Sequence, residues 1–187
     1  MNSVTAAPTY QFSVEEYLKL GEVGIFDEDD RVELLNGEIV LMSPIGIRHM
    51  NAARRLVNHF ARRFGKRCLV DAQNPLVIDS KSMPQPDVML LRPDLDESRA
   101  PRPEDVLLLV EVAESSLFYD GTDKRDAYAR NGIGEYWMID LTRNELHVFR
   151  HPNLHGYREE FVVRKDEPIA PLAFADESVA LNDLLPP

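Results

Sequence analysis

Apolar residues in this chain change period along its length, and the changes mark out its elements. Ser13 is followed by Val14-Glu15-Glu16 and then Tyr17-Leu18, a capping-box pattern that predicts a short helix stopped by Gly21. Beyond the acidic loop GIFDEDD, the run VELLNGEIVLM (residues 32–42) predicts a hairpin turning at Asn36-Gly37, because that dipeptide tolerates the positive φ angles of a tight type I′ turn. Ser43-Pro44-Ile45-Gly46 breaks the strand. Residues 47–64 then carry Ile47, Met50, Ala53, Val57, Phe60, Ala61 and Phe64 at spacings of three and four. This predicts an amphipathic helix, ended by Gly65. Arg48, Arg55 and Arg62 recur every seven residues on its other side.

Two strands are expected next, at residues 68–77, with Pro75 as an interruption, and at 87–91. The polar turn IDSKSMPQ separates them, and the charged loop RPDLDESRAPRPED follows, longer than a tight connection requires. VLLLVEVA (106–113) is the most apolar segment and reads as a central strand buried on both faces. Residues 121–130 predict a helix stopped by Asn131-Gly132, and EYWMID (135–140), 145–150 and 157–163 an antiparallel meander turning near Asn144 and Asn153. From Asp166 the chain reads as an acidic, proline-rich tail. The order predicts a mixed α+β (α/β) domain with one central sheet flanked by helices. A single domain over the 187 residues is expected, with a core at about 10–165.

Composition narrows the function classes. Cys68 is the sole cysteine, so neither an intramolecular disulfide nor a thiolate cluster is available, and its apolar setting predicts a buried small residue. MNSVTAAPTYQF lacks the basic-then-apolar order of a signal peptide, and no window approaches a membrane span; a cytoplasmic protein is expected. The formal net charge of −11 argues against nucleic acid, yet its distribution is uneven. Residues 43–70 hold seven bases and no acid, whereas 166–187 hold acids and no base. A basic patch for phosphates and a solvated helix face both fit the first segment.

Glu111 is the residue that an ordinary core does not explain. It sits inside LLLVEVA, where a carboxylate is costly unless paired or bound to a cation. Asp87 follows Pro86 at the start of a strand and offers a second carboxylate to share a divalent ion. Lys124 and Tyr128 are four apart, on one helix face. Lys124 could orient a water or a phosphate at such a site, stand in solvent, or pair with Asp120. Glu33 is a third carboxylate or a solvent-facing strand residue. Gln73 fits a strand edge, and His49 lies on the basic helix, within reach of a phosphate. His147, His151 and His155 keep helical spacing in a strand-and-loop context, which removes its meaning. There is no HExxH, Walker loop or GxGxxG, and Ser115-Ser116 lack a nucleophile elbow. Tyr136 and Trp137 read as core aromatics.

The ordered set VELLNGEIVLMSP, Arg48-His49, PDVMLL, VEVAESS, YDGTDKRDAYARNGIGEYWMID and ELHVFR resembles the restriction-endonuclease-like family known as domain of unknown function 820. That family is similar to the PD-(D/E)XK nucleases. The resemblance implies a restriction-endonuclease-like fold and a metal-dependent endonuclease acting on DNA, often as a homodimer. It implies Mg²⁺, or Mn²⁺, held by Asp87 and Glu111. The usual lysine position, two residues after the acid, is Ala113; the resemblance moves that role to Lys124. Glu33 matches the extra acid of the first motif. Arg48, His49 and Arg55 are then candidate phosphate contacts. A catalytically inactive member that binds DNA or a protein partner as a dimer is the alternative.

Overall fold

The computed structural model describes residues 9–27 and 29–185. The first eight residues of the N-terminal run, Glu28 of the acidic loop and the closing Pro186-Pro187 lie outside them. Helix α1 (Val14–Glu22) begins at the expected capping box: the Ser13 hydroxyl accepts the Glu16 amide, and the Glu16 carboxylate accepts the Ser13 amide at 2.9 Å. It runs through Gly21 and ends one residue later, followed by Gly24 at φ +74°. β1 (Val32–Leu35) and β2 (Glu38–Leu41) form the hairpin, with Asn36 and Gly37 at φ 52° and 81°. Those two positive angles are what a type I′ turn requires. The hairpin is a separate two-stranded sheet, tied to the rest through a bridge between Leu34 and Met83 and through hydrogen bonds such as that of the Gly37 amide to the Lys81 carbonyl.

α2 (Ile47–Phe64) is the long helix, but its buried stripe is Ala52, Ala53, Leu56, Phe60 and Phe64. Ile47, Met50 and Ala61, expected in the core, are exposed. The strand expected at 68–77 is shorter: β3 covers Leu69–Asp71 only. Gln73 is exposed at φ 57°, a left-handed angle that a ladder does not admit, so the chain leaves the sheet there. Residues 72–87 are largely irregular and pack beside β1, whose four residues are all buried. β4 (Val88–Leu91) and β5 (Val106–Ala113) follow. The next helix starts earlier than its pattern predicts. It comprises α3 (Leu117–Tyr119), a π turn (Asp120–Lys124) and α4 (Arg125–Arg130). β6 (Glu135–Asp140), β7 (Glu145–Asn153) and β8 (Gly156–Arg164) complete the meander.

The main sheet has the order β3-β4-β5-β6-β7-β8. Only β5 and β6 are parallel, because the helix between them returns the chain to the same end. Strand parity divides the core. Val88, Leu90, Leu108, Val110 and Val112 pack with α2 on one face; Met89, Leu91, Leu109 and Ala113 pack with α4 on the other. Glu111 shares the parity of Leu109 and Ala113.

The C-terminal segment is not a tail. β9 (Pro168–Ile169), β10 (Val179–Ala180) and α5 (Leu181–Leu184) bring Ile169, Phe174, Val179, Leu181, Leu184 and Leu185 into the α2-side core. Phe174 stacks on Phe64 with ring centroids 4.4 Å apart. The hydrophobic core therefore extends well past residue 165. Among the described residues, no helix is long and apolar enough to cross a membrane.

Candidate active site

The antiparallel register pairs Val88 with Val110, and one further step sets Asp87 opposite Glu111. The Asp87 amide donates to Glu111 Oε2 at 3.2 Å. Asp87 Oδ2 accepts the Val112 amide at 2.8 Å and lies 3.0 Å from His49 Nε2, which α2 supplies from the other side. Two elements thus hold this carboxylate in place. Glu111 is 3 % exposed and neither faces water nor meets an arginine. Its Oε1 accepts from Lys124 Nζ at 3.0 Å and from the Tyr128 hydroxyl at 2.8 Å.

Lys124, itself 3 % exposed, sits at the centre of a carboxylate cluster. Its Nζ is 3.1 Å from Glu33 Oε1, 3.0 Å from Glu111 Oε1 and 3.9 Å from Asp120 Oδ1. Glu33 reaches it from β1, and its other oxygen accepts the Gln85 amide at 3.0 Å. The π turn carries both Asp120 and Lys124; the extra residue per turn shifts the helix face that points at Glu111, a device common at functional sites. Asp120 is buried too, and its Oδ2 accepts the Ser116 hydroxyl.

Charge balance decides the protonation. Burial works against the Lys124 ammonium, but Glu111, Glu33 and Asp120 prevail and hold its pKa well above the ordinary lysine value. Burial also pushes the Glu111 carboxyl well above its usual range; Lys124 only partly offsets this, because Asp87, Asp120 and Glu33 add negative charge. Asp120 is pushed up to about 6, chiefly by burial, against the pull of Lys124 and Ser116. His49 is opposed by its own burial, yet the Asp87 hydrogen bond and charge raise its pKa.

These residues line a cleft of about 350 Å³, whose walls include Arg31, Leu41, Ile45 and Tyr119. A family model, Uma2, described as "Putative restriction endonuclease", matches residues 14–182. The chain belongs to the Uma2 family. Among solved structures, a "putative nuclease belonging to DUF820" from Anabaena variabilis ATCC 29413 superposes with a TM-score of 0.73 at 15% identity. The match covers 92% of this chain and 97% of that one, and at such identity it concerns the nuclease-like fold alone. No curated protein matches the chain.

In this Uma2 chain the structure brings together Glu33, Asp87, Glu111, Lys124 and His49, but not the arginines paired with His49 in sequence reasoning. Arg48 sits at the rim, its guanidinium donating to Glu114 at 3.3 Å and to the Leu141 carbonyl at 2.7 Å. Arg55 lies outside the cleft and donates to the Leu185 carbonyl. Gln73 does not line the cleft either. Asp120 and Tyr128 were legible only as i−4 and i+4 neighbours of Lys124. Nothing in the sequence signalled that the Gln85 amide anchors Glu33.

The donor set suits a hard divalent cation. Asp87 and Glu111 supply carboxylate oxygens, and no hydrogen bond from the described residues reaches Asp87 Oδ1. Among those residues no three His, Cys, Asp or Glu side chains close into a ready coordination set. A pair of carboxylates completed by waters and phosphate oxygens is the arrangement Mg²⁺ favours, and oxygen ligands suit Mn²⁺ equally.

Proposed function

We propose that this protein is a divalent-metal-dependent endonuclease that hydrolyses DNA phosphodiester bonds, with Asp87 and Glu111 as metal ligands. The observation that carries this reading is the Lys124 ammonium, buried 3.0 Å from Glu111 and 3.1 Å from Glu33 although β5 carries Ala113 two residues after the acid. A lysine delivered from the following helix can supply the charge that Ala113 does not.

Mg²⁺ or Mn²⁺, when bound, would polarise a phosphoryl oxygen and lower the pKa of a bound water. The protein's own groups do the positioning. The Val112 amide and His49 fix one oxygen of Asp87 and leave the other for a cation. Tyr128 and the Asp87 amide fix the orientation of the Glu111 carboxylate. Lys124 keeps its proton and presents positive charge beside Glu111, where it can hold a phosphate oxygen or an attacking water in a region of reduced solvent. Glu33 anchors Lys124, and Asp120 holds it from the preceding turn. A duplex cut on both strands calls for two such sites, so a homodimer belongs to the same proposal.

The test is direct. Plasmid and single-stranded DNA are incubated with Mg²⁺ or Mn²⁺ and the protein, beside Glu111→Ala and Asp87→Asn. Cleavage by the unaltered chain alone is expected. Isothermal titration with Mn²⁺ should show binding that both substitutions weaken at least tenfold. If the unaltered chain cuts no better than Glu111→Ala, the nuclease reading fails.

A further inference from the structure

Three carboxylates surround the Lys124 ammonium, and two of them reach it at hydrogen-bond distance. Nζ lies 3.0 Å from Glu111 Oε1 and 3.1 Å from Glu33 Oε1, but 3.9 Å from Asp120 Oδ1, too far for a direct hydrogen bond. A third buried acid is costly here, because the ammonium already faces two carboxylates and Asp120 has no cation of its own. Asp120 is nevertheless only 4 % exposed, and it lines the cleft together with Lys124.

Its side chain is held at one oxygen. Oδ2 accepts the Ser116 hydroxyl, whereas no hydrogen bond from the described residues reaches Oδ1. The main chain is fixed on both sides: the Asp120 amide donates to the Ser116 carbonyl at 2.9 Å, and the Asp120 carbonyl accepts the Tyr136 hydroxyl of β6 at 3.2 Å. A buried polar atom without a partner calls for a ligand that the site receives in use. The 3.9 Å separation defines that ligand. An oxygen about 2.8 Å from both Nζ and Oδ1 closes a triangle on this base, accepting from the ammonium and donating to the carboxylate. A water meets both demands. A phosphodiester oxygen does not, because it has no proton to give and would face the Asp120 charge.

We infer that Asp120 is a catalytic residue, which holds the attacking water against Lys124 and accepts its proton. This role rests on the nuclease reading and assigns its proton acceptor. The water oxygen forms its bond to phosphorus while the water proton passes to Asp120 Oδ1. The bond from phosphorus to the leaving sugar oxygen breaks, and that oxygen takes a proton from solvent. Burial pushes the Asp120 carboxyl up to about 6, against the pull of Lys124 and Ser116, which brings it close to the range in which a general base works at neutral pH. Other titratable groups surround it: Glu33 on β1, His49 on α2, Asp87 ahead of β4, Glu111 on β5, Tyr119 on α3 and Tyr136 on β6. The acid limb of a rate profile must therefore be assigned by substitution.

The experiment follows plasmid cleavage by the full chain with Mn²⁺ at saturating DNA, from about pH 5 to about pH 8, beside Asp120→Asn and Ser116→Ala. Isothermal titration gives the Mn²⁺ affinity of each protein. Asp120→Asn is expected to lower kcat at least about 100-fold while KM and Mn²⁺ affinity stay within about threefold. The base must be ionised to act, so the rate of the unaltered chain rises as Asp120 loses its proton. The Ser116 hydrogen bond lowers the Asp120 pKa; Ser116→Ala removes it and should move the acid limb to higher pH. Retention of more than about a tenth of kcat in Asp120→Asn overturns the inference, as a general base contributes at least that much. So does an acid limb unmoved by Ser116→Ala, which decides the matter if Asp120→Asn does not fold. A tenfold loss of Mn²⁺ affinity in Asp120→Asn also overturns it and makes Asp120 part of the metal site. The two readings fail separately. If the unaltered chain does not cut, the nuclease reading falls and this role with it; if it cuts through Glu111 and Asp120→Asn cuts equally well, only the proton acceptor is lost.

Discussion

Lys124→Met keeps the stem of the side chain and deletes its charge, leaving Glu33, Glu111 and Asp120 buried without their cation. The two close contacts are 3.0 and 3.1 Å. At an effective dielectric of about 20, each is worth roughly 5 kcal/mol before desolvation is counted. Desolvation of the ions offsets much of that, and removal of one member of a buried pair costs about 3–5 kcal/mol. In a chain of 187 residues this lowers the melting temperature by about 6–20 °C. The pH dependence has a definite sign. Burial raises the Glu111 carboxyl and Lys124 is the main influence that lowers it, so in the variant its pKa climbs further. Above the unfolded carboxyl value of about 4.3, the folded variant then binds more protons than the unfolded chain, and its stability falls as pH rises. Urea unfolding in EDTA is expected to show the full penalty at pH 8 and a smaller one near pH 5. Adding Glu111→Gln should make the double variant more stable than the sum of the single changes. A penalty below about 1 kcal/mol at pH 8, or one that grows on acidification, refutes Lys124 as the compensating cation.

Three further outcomes are expected. Glu135→Ala removes a buried carboxylate that accepts from Trp137 Nε1 at 2.8 Å, Arg150 Nε at 2.7 Å and the Leu172 amide at 2.6 Å; leaving Arg150 unpaired should cost about 3–5 kcal/mol by urea unfolding. Leu184→Ala should cost about 2–5 kcal/mol if the C-terminal segment belongs to the core, and a loss under 1 kcal/mol contradicts that. Arg55→Ala should leave nucleic-acid affinity within about twofold, as expected for a side chain that makes no phosphate contact. A tenfold loss by anisotropy restores its role in phosphate binding.

The site was more legible than the surface that surrounds it. Glu111 stands out because a carboxylate inside LLLVEVA violates the pattern of its neighbours, and strand parity then assigns it a face. Lys124 and Tyr128 share a helix face by spacing alone, and both meet Glu111 Oε1. Asn36-Gly37 encodes its turn locally. What failed depended on contacts remote in sequence. Along α2, Ala53, Phe60 and Phe64 are buried as the spacing predicts, but Ala52 and Leu56 continue that face as well as Ile47, Met50 and Val57 would, and only the docking of the sheet selects them. The strand expected at 68–77 stops at Asp71 because the following residues turn away to cover β1. That choice depends on the hairpin 40 residues upstream rather than on any local signal except Pro75.

The two charged segments set apart by composition turn out to address one another. Residues 43–70 lack acids and 166–187 lack bases, and the fold pairs Arg63 with Glu177 and Arg67 with Asp176. Arg55 closes the same seam through the Leu185 carbonyl. Arg55 and Arg63 of the helix, with Arg67 just beyond it, are therefore turned to the chain's own C-terminal segment, while Arg48 is held by Glu114 and the Leu141 carbonyl. A net charge of −11 leaves little long-range field to gather phosphates. In the proposed nuclease, phosphate affinity would then rest on a metal held by Asp87 and Glu111 and on the Lys124 ammonium. Two arginines of a helix read as a candidate grip on phosphates help to seat the C-terminal segment on the core.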